Sequence, residues 1–208
     1  MAERPSARRS RFPARLGAPA SDTRARPFGR RGADGERGAA LVEMVLVLPL
    51  LLMIVFGIIE FGTTYSNYIG LRDGVRQAAR SAAVGNMGTS TDCNLVGANE
   101  ASSEVRRLMC LTKAQAGLDP TQVRVKVISA DSSFSGEGTF AKNDAVIVCA
   151  QIPTKAVTGF LGSALAGHTL RTKVAMRIER SDLVATAGDE DAPPGEDWSW
   201  CTYQALAV

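Results

Sequence analysis

The sequence predicts an α+β protein in which a long N-terminal transmembrane helix continues into a stem and carries a small extracytoplasmic head of one helix and a three-stranded antiparallel sheet. Two observations lead to this fold class. The run Met44–Ile59 holds 16 residues without a charge, and with the apolar residues before it approaches the roughly 20 residues that cross a bilayer. After residue 86, one helical pattern precedes three runs with strand patterns.

The apolar run predicts a membrane span over residues 39–60. It is apolar on every side, whereas a helix packed on a soluble core keeps a polar face, and the rest of the 208-residue chain offers little to cover a buried core helix of this kind. A secretory signal peptide has a shorter apolar run and a small-x-small cleavage site, which residues 61–65 do not provide. We therefore expect the helix to remain in the mature protein.

Charge is distributed unevenly about this span. Residues 1–37 contain ten Arg and four acidic residues, a net charge of +6, whereas residues 60–67 contain no Lys or Arg. The positive-inside bias then predicts that residues 1–38 form a cytoplasmic leader and that the domain after the span faces the extracytoplasmic side. The expected location is the cytoplasmic (inner) membrane, crossed once.

Glu43 lies inside the apolar helix, where an ionised carboxylate costs ~2.5–3.5 kcal/mol at the bilayer centre and less near the interface. Cleavage between Gly38 and Ala39 would turn Ala39 into a free ammonium one helical turn from Glu43. The carboxylate could then pair with its own N-terminus or with that of a neighbour. The alternative is a chance glycine and an interfacial glutamate on an ordinary signal anchor.

The run Gly38–Glu43 (GAALVE), followed by Pro49 and by FGIIEFG at residues 56–62, closely resembles the N-terminal signature of TadE-like proteins, which are minor pseudopilins of tight-adherence (Flp-type) pilus systems. The resemblance is strong over residues 37–85 and weaker beyond. It implies that a membrane aspartyl prepilin peptidase cuts after Gly38, that Ala39 becomes the N-terminus and that Glu43 guides subunit register. The implied partners are this peptidase, membrane lipid, other pseudopilins and platform proteins of pilus assembly.

Helical spacing continues beyond the span and predicts an amphipathic stem over residues 61–85 of the same helix. Gly70 and Gly74 are expected to weaken this helix, and Gly85 is expected to end it. The apolar stripe of the stem lies opposite Asp73, Arg76 and Arg80 and consists of Tyr68, Leu71, Val75, Ala78 and Ala82.

The head is expected to occupy residues 86–185. A helix is predicted over residues 100–116, with Asn99 as its N-cap and Gly117 as its stop. The three strands are expected at 123–127, 145–152 and 170–178, and the second, which is nearly all apolar, is predicted to be central.

All four cysteines follow the span, and their spacing is not that of a zinc site. Disulfides are therefore expected if this part of the chain lies outside the cytoplasm. Four cysteines allow three pairings. We prefer Cys93 with Cys110 and Cys149 with Cys201, since each pair joins elements that are neighbours in the sequence.

A tail over residues 186–208 completes the chain. Its acidic, Pro-containing part, residues 188–197, is expected to be disordered. Its aromatic end contains Trp198, Trp200 and Tyr203. This end is either an exposed binding patch or a segment pinned to the head through Cys201, with tryptophan packed beneath.

Residues for catalysis are poorly supplied. His168 is the single histidine, and the sequence contains no Cys/His or Ser/His nucleophile pairing and no phosphate-binding glycine loop. The sequence therefore predicts a structural subunit, not an enzyme, with no cofactor, metal, small-molecule substrate or nucleic-acid partner. The alternative is a signal-anchored extracytoplasmic module that binds a cell-envelope ligand through a basic sheet face or through Trp198 and Trp200.

Overall fold

The computed structural model describes residues 33–90, 92–159, 162, 167–180 and 184–203, with the backbone alone at residues 33–37. Most of the predicted leader, residues 1–32, lies outside the described residues. The chain divides into two units between Leu46 and Val47. The predicted α+β class is confirmed by the elements in chain order, which are α1 (Ala33–Ala83), α2 (Ser103–Ala116), β1 (Arg124–Ala130), β2 (Ala145–Pro153), β3 (Thr169–Arg177) and β4 (Gly188–Asp189).

Helix α1 begins at Ala33 and not at Ala39, and it ends at Ala83. The early start is compatible with Gly38, because one interior glycine costs a helix only about 1 kcal/mol relative to alanine and does not have to interrupt it. Every side chain from Leu41 to Val55 is exposed. Among the described residues, α1 is the one helix long and apolar enough to cross a membrane.

The stem half of α1 packs against the head with the face that the sequence predicts. Asp73, Arg76 and Arg80 are exposed on its other side. The main core also contains residues of α2 and of the inner face of the sheet. The stem residues with no exposed surface are Leu71, Val75, Ala78, Ala79 and Ala82.

Two glycines allow α1 and α2 to approach closely. A Cβ at Gly74 would lie 2.7 Å from both the amide nitrogen of Ala116 and the carbonyl oxygen of Thr112, and one at Gly70 would lie 2.7 Å from the carbonyl oxygen of Ala116. These are backbone atoms of α2, which cannot swing aside as a flexible side chain can. The expectation that Gly70 and Gly74 only weaken the helix therefore misses their role in packing.

Helix α2 starts later than predicted. Its N-cap is Ser102, whose side-chain oxygen accepts a hydrogen bond from the Val105 amide at 3.4 Å. Asn99 does not cap it, because α2 begins only at Ser103. The amide of Asn99 donates to the Gly97 carbonyl in the preceding loop. The predicted stop is right, since Gly117 has φ 64°, the left-handed conformation typical of a helix end.

The four strands form one antiparallel sheet in the order β3-β2-β1-β4. As predicted, β2 lies between the other two long strands, and eight of its nine residues are buried. The fourth strand contradicts the expectation of disorder in the acidic stretch, since Gly188 and Asp189 pair with Val127 and Lys126 of β1. A two-residue strand has no periodicity, and its partner is remote in the sequence, so local composition alone predicts it wrongly.

Candidate processing site and anchor-to-head contacts

The predicted processing residues lie together on the surface of α1. Ala39 and Glu43 are four residues apart and therefore lie on the same face of the helix. Gly38, Ala39 and Glu43 are all exposed, and a Cβ at Gly38 would meet no atom within 4 Å. The Gly38–Ala39 bond is thus helical and accessible.

The Glu43 carboxylate takes part in no ion pair within the described part of the chain. The ion pairs found there are Lys113–Glu190, Lys126–Asp189 and Arg171–Glu196, all of which lie after the stem. A new N-terminus at Ala39, or that of another molecule, would supply a cation for Glu43.

A second carboxylate of α1, Glu60, fastens the end of the apolar run to the head. The residue is only 1% exposed. Its Oε2 accepts a hydrogen bond from the Val157 amide at 2.9 Å, and its Oε1 accepts from the amide and the hydroxyl of Thr158 at 2.7 and 2.6 Å. Burying a carboxylate is costly unless it is hydrogen-bonded, and these three bonds provide the partners.

Sequence reasoning placed Glu60 only within the FGIIEFG run and assigned it no contact. One signal could have identified it. Glu60 directly follows 16 uncharged residues, and no basic residue lies between Arg37 and Arg72. A carboxylate in that position requires donors from elsewhere, and the structure supplies them from the connection between β2 and β3.

A buried ion pair that was not predicted joins α2 of the head to the tail. The Lys113 ammonium lies 2.7 Å from Oε1 of Glu190, and the two side chains are 1% and 0% exposed. Glu190 also accepts from the amides of Val96 and Val125, at 3.0 and 2.9 Å. Lys113 donates to two backbone carbonyls, at 3.1 and 3.0 Å. Burial lowers the pKa of the Lys113 ammonium, and the hydrogen bond and charge of Glu190 oppose that shift.

Both preferred cysteine pairs form disulfides. Cys93–Cys110 joins the loop after the stem to α2, and Cys149–Cys201 joins β2 to the tail. None of the four cysteines is free. The second disulfide lies in a small apolar cluster on the outer face of the sheet.

The aromatic end of the tail packs on this outer face. Trp198 and Trp200 are half-buried against the cluster that contains the second disulfide. The indole nitrogen of Trp198 donates to the Glu190 carbonyl at 2.7 Å, and the guanidinium of Arg171 lies 5.7 Å from the centroid of Trp200. These contacts favour the pinned segment over the exposed binding patch.

The fold and these contacts define a class of protein: a helix able to span a membrane, fastened by Glu60 to a disulfide-bonded α+β head. The family model described as TadE-like protein matches residues 38–80. The match begins at Gly38 and covers the predicted processing motif, the apolar run and most of the stem, so the TadE-like resemblance of this region is confirmed. No curated protein and no solved structure matches the chain significantly.

Proposed function

We propose that the chain is a pseudopilin-like structural subunit of a tight-adherence (type IV-like) pilus assembly or secretion system. The observation that carries the proposal is the TadE-like match over residues 38–80, which begins at the glycine of the predicted cleavage site. The role needs no cofactor and no chemistry by the chain itself. The chain is the substrate of a prepilin peptidase.

In this proposal the peptidase cuts between Gly38 and Ala39 from the cytoplasmic side and releases the Arg-rich leader. The ammonium of Ala39 then lies one turn from Glu43 and neutralises the carboxylate, either within one subunit or between neighbours. The exposed apolar side chains from Leu41 to Val55 contact lipid before assembly and neighbouring pseudopilins or platform proteins afterwards.

The orientation belongs to the same proposal. The Arg-rich flank favours a cytoplasmic leader, and the span lies in the inner membrane. Two disulfides support an oxidising compartment for the head, since such bonds persist outside the cytoplasm and are rare within it.

The mature N-terminus in the native host tests the proposal. We expect a protein that begins at Ala39, whereas an intact Met1 terminus would favour a signal-anchored binding module.

With a matching prepilin peptidase co-expressed, Gly38→Leu should abolish trimming, seen as loss of the faster-migrating form. Gly57→Leu is the matched control, because neither glycine has an atom within 4 Å of an added Cβ. Efficient trimming of Gly38→Leu would refute the assignment of the cleavage site.

A further inference from the structure

We propose that residues 154–159, which begin the connection between β2 and β3, dock on the lipid headgroup region of the same bilayer that α1 spans. The lipid-facing surface consists of Phe61 and Tyr65 of α1 together with Lys155 and Val157 of the connection. This inference requires α1 to be a membrane span, but it does not depend on processing or on a role in a pilus.

Glu60 sets the depth of the connection. It follows Ile59, the last residue of the uncharged run, and so lies where the helix leaves the hydrocarbon. The amides of Val157 and Thr158 lie 2.9 and 2.7 Å from the Glu60 carboxylate oxygens. Val157 and Thr158 are therefore held at the same level of the helix, beside the membrane boundary.

The side chains at this level suit the interface between water and lipid. Phe61 and Val157 are 72% and 66% exposed, and Tyr65 is 55% exposed. The rings of Phe61 and Tyr65 stack with their centroids 6.1 Å apart. Tyrosine is enriched at membrane interfaces, and phenylalanine is favourable on the hydrocarbon side of them. Lys155 is also exposed, and its ammonium can reach lipid phosphates while its methylene stem lies on apolar surface.

Continuity with the span identifies lipid as the occupant. Single exposed apolar residues are common on soluble proteins and need no partner. Here, however, Phe61 directly extends the exposed apolar surface of α1, in which Ile58 and Ile59 are 67% and 41% exposed. A surface that begins in hydrocarbon and continues without a break meets the headgroup region of that bilayer next.

At the membrane boundary, the hydrogen bonds of Glu60 satisfy polar groups both on α1 and on the connection. A bare carboxylate that faces hydrocarbon is costly, and so is a backbone amide without an acceptor at that depth. Pairing Glu60 with Val157 and Thr158 satisfies all three groups at once. The exposed side of the connection is then left to contact lipid through Val157.

Quenching of tryptophan fluorescence by brominated lipid tests the contact. The full chain is reconstituted in vesicles of equal parts phosphatidylcholine and phosphatidylglycerol, with bromine near the headgroup end of the acyl chains. Val157→Trp is compared with Val184→Trp, and the wild-type chain supplies the background from Trp198 and Trp200. Val184 is a matched control because it is 87% exposed and lines the same cavity as Gly85. Gly85 follows the end of the stem, and the stem extends about 35 Å along its axis from Glu60.

We expect the tryptophan introduced by Val157→Trp to be quenched several-fold more strongly than the one introduced by Val184→Trp. In a Glu60→Ala background that retains its far-ultraviolet circular dichroism, quenching in Val157→Trp should fall towards that in Val184→Trp. Equal quenching of the two probes overturns the proposal. Packing of this surface against a second copy would leave the Val157→Trp probe unquenched, with emission that depends on the protein-to-lipid ratio, and would also overturn it. Unchanged quenching in the Glu60→Ala background would refute the depth assigned through Glu60.

Discussion

Lys113 and Glu190 illustrate at the residue scale why a buried charge is tolerated in the head. Each group is fully enclosed, and each has hydrogen-bond partners beyond the other. Removing one partner leaves the other charge buried without compensation, which typically costs more than the pair contributes while intact. The pair therefore fixes how the tail, the loop before α2 and β1 fit together.

Lys113→Met should lower the free energy of unfolding by about 3–5 kcal/mol, because the Glu190 carboxylate would remain buried and unpaired. Lys126→Met is the matched control. Lys126 pairs with Asp189 at 3.2 Å, but the two side chains are 22% and 43% exposed, so the loss should be below about 1 kcal/mol. Urea unfolding of the full chain in detergent, followed by tryptophan fluorescence, measures both. Equal losses in the two variants would contradict the assignment.

The processing residues that the sequence predicts at this scale lie close together in the chain. Gly38, Ala39 and Glu43 stand within six positions, and an apolar helix makes Glu43 conspicuous. Glu60 and Glu190 were missed because their donors lie 97 and 77 residues away. Around Glu190 the composition is acidic and contains Pro, which is typical of disorder, and nothing nearby indicates a buried lysine.

At the scale of elements, the contact between α1 and α2 depends on Gly70 and Gly74. Helical periodicity predicted the buried stripe of the stem, since the 3.6-residue repeat is present in the sequence. The close approach could not be predicted, because a glycine in a helix indicates a packing contact only when the facing element is known. The same limit applies to the start of α2, where both Asn99 and Ser102 are suitable N-caps and only the path of the preceding loop decides between them.

Gly74→Ala should destabilise the protein, although alanine is the better helix former. The new methyl group would lie 2.7 Å from backbone atoms of Thr112 and Ala116, and overpacking of this kind costs about 1–3 kcal/mol or more. Gly62→Ala is the control, because no atom lies within 4 Å of its added Cβ, and it should gain up to about 1 kcal/mol from helix propensity. Thermal unfolding in detergent should show shifts of opposite sign. A higher melting temperature for Gly74→Ala would refute the close contact.

At the scale of the whole molecule, the sheet is covered on both faces by different parts of the chain. The stem and α2 cover the inner face, and the aromatic end of the tail covers the outer face. The α+β class was predictable because it rests on long periodic segments. The cover on the outer face was not, because the tail has neither a helical nor a strand period and is held by β4, Glu190 and the Cys149–Cys201 bond.

The two disulfides should differ in what their removal does to the molecule. They join residues 52 and 17 positions apart, for which loop-closure entropy gives stabilisation of about 4 and about 3 kcal/mol. Replacing both Cys149 and Cys201 by alanine should also free the end of the tail from the outer face. The emission of Trp198 and Trp200 should then shift to longer wavelength, and protease should cleave the tail before the head unfolds.

Replacing Cys93 and Cys110 by alanine is the control, which should lower the unfolding midpoint but leave tryptophan emission of the folded protein unchanged. If the two variants show the same emission, the tail does not depend on Cys201 for its place on the sheet, and contacts such as the Trp198–Glu190 hydrogen bond hold it instead.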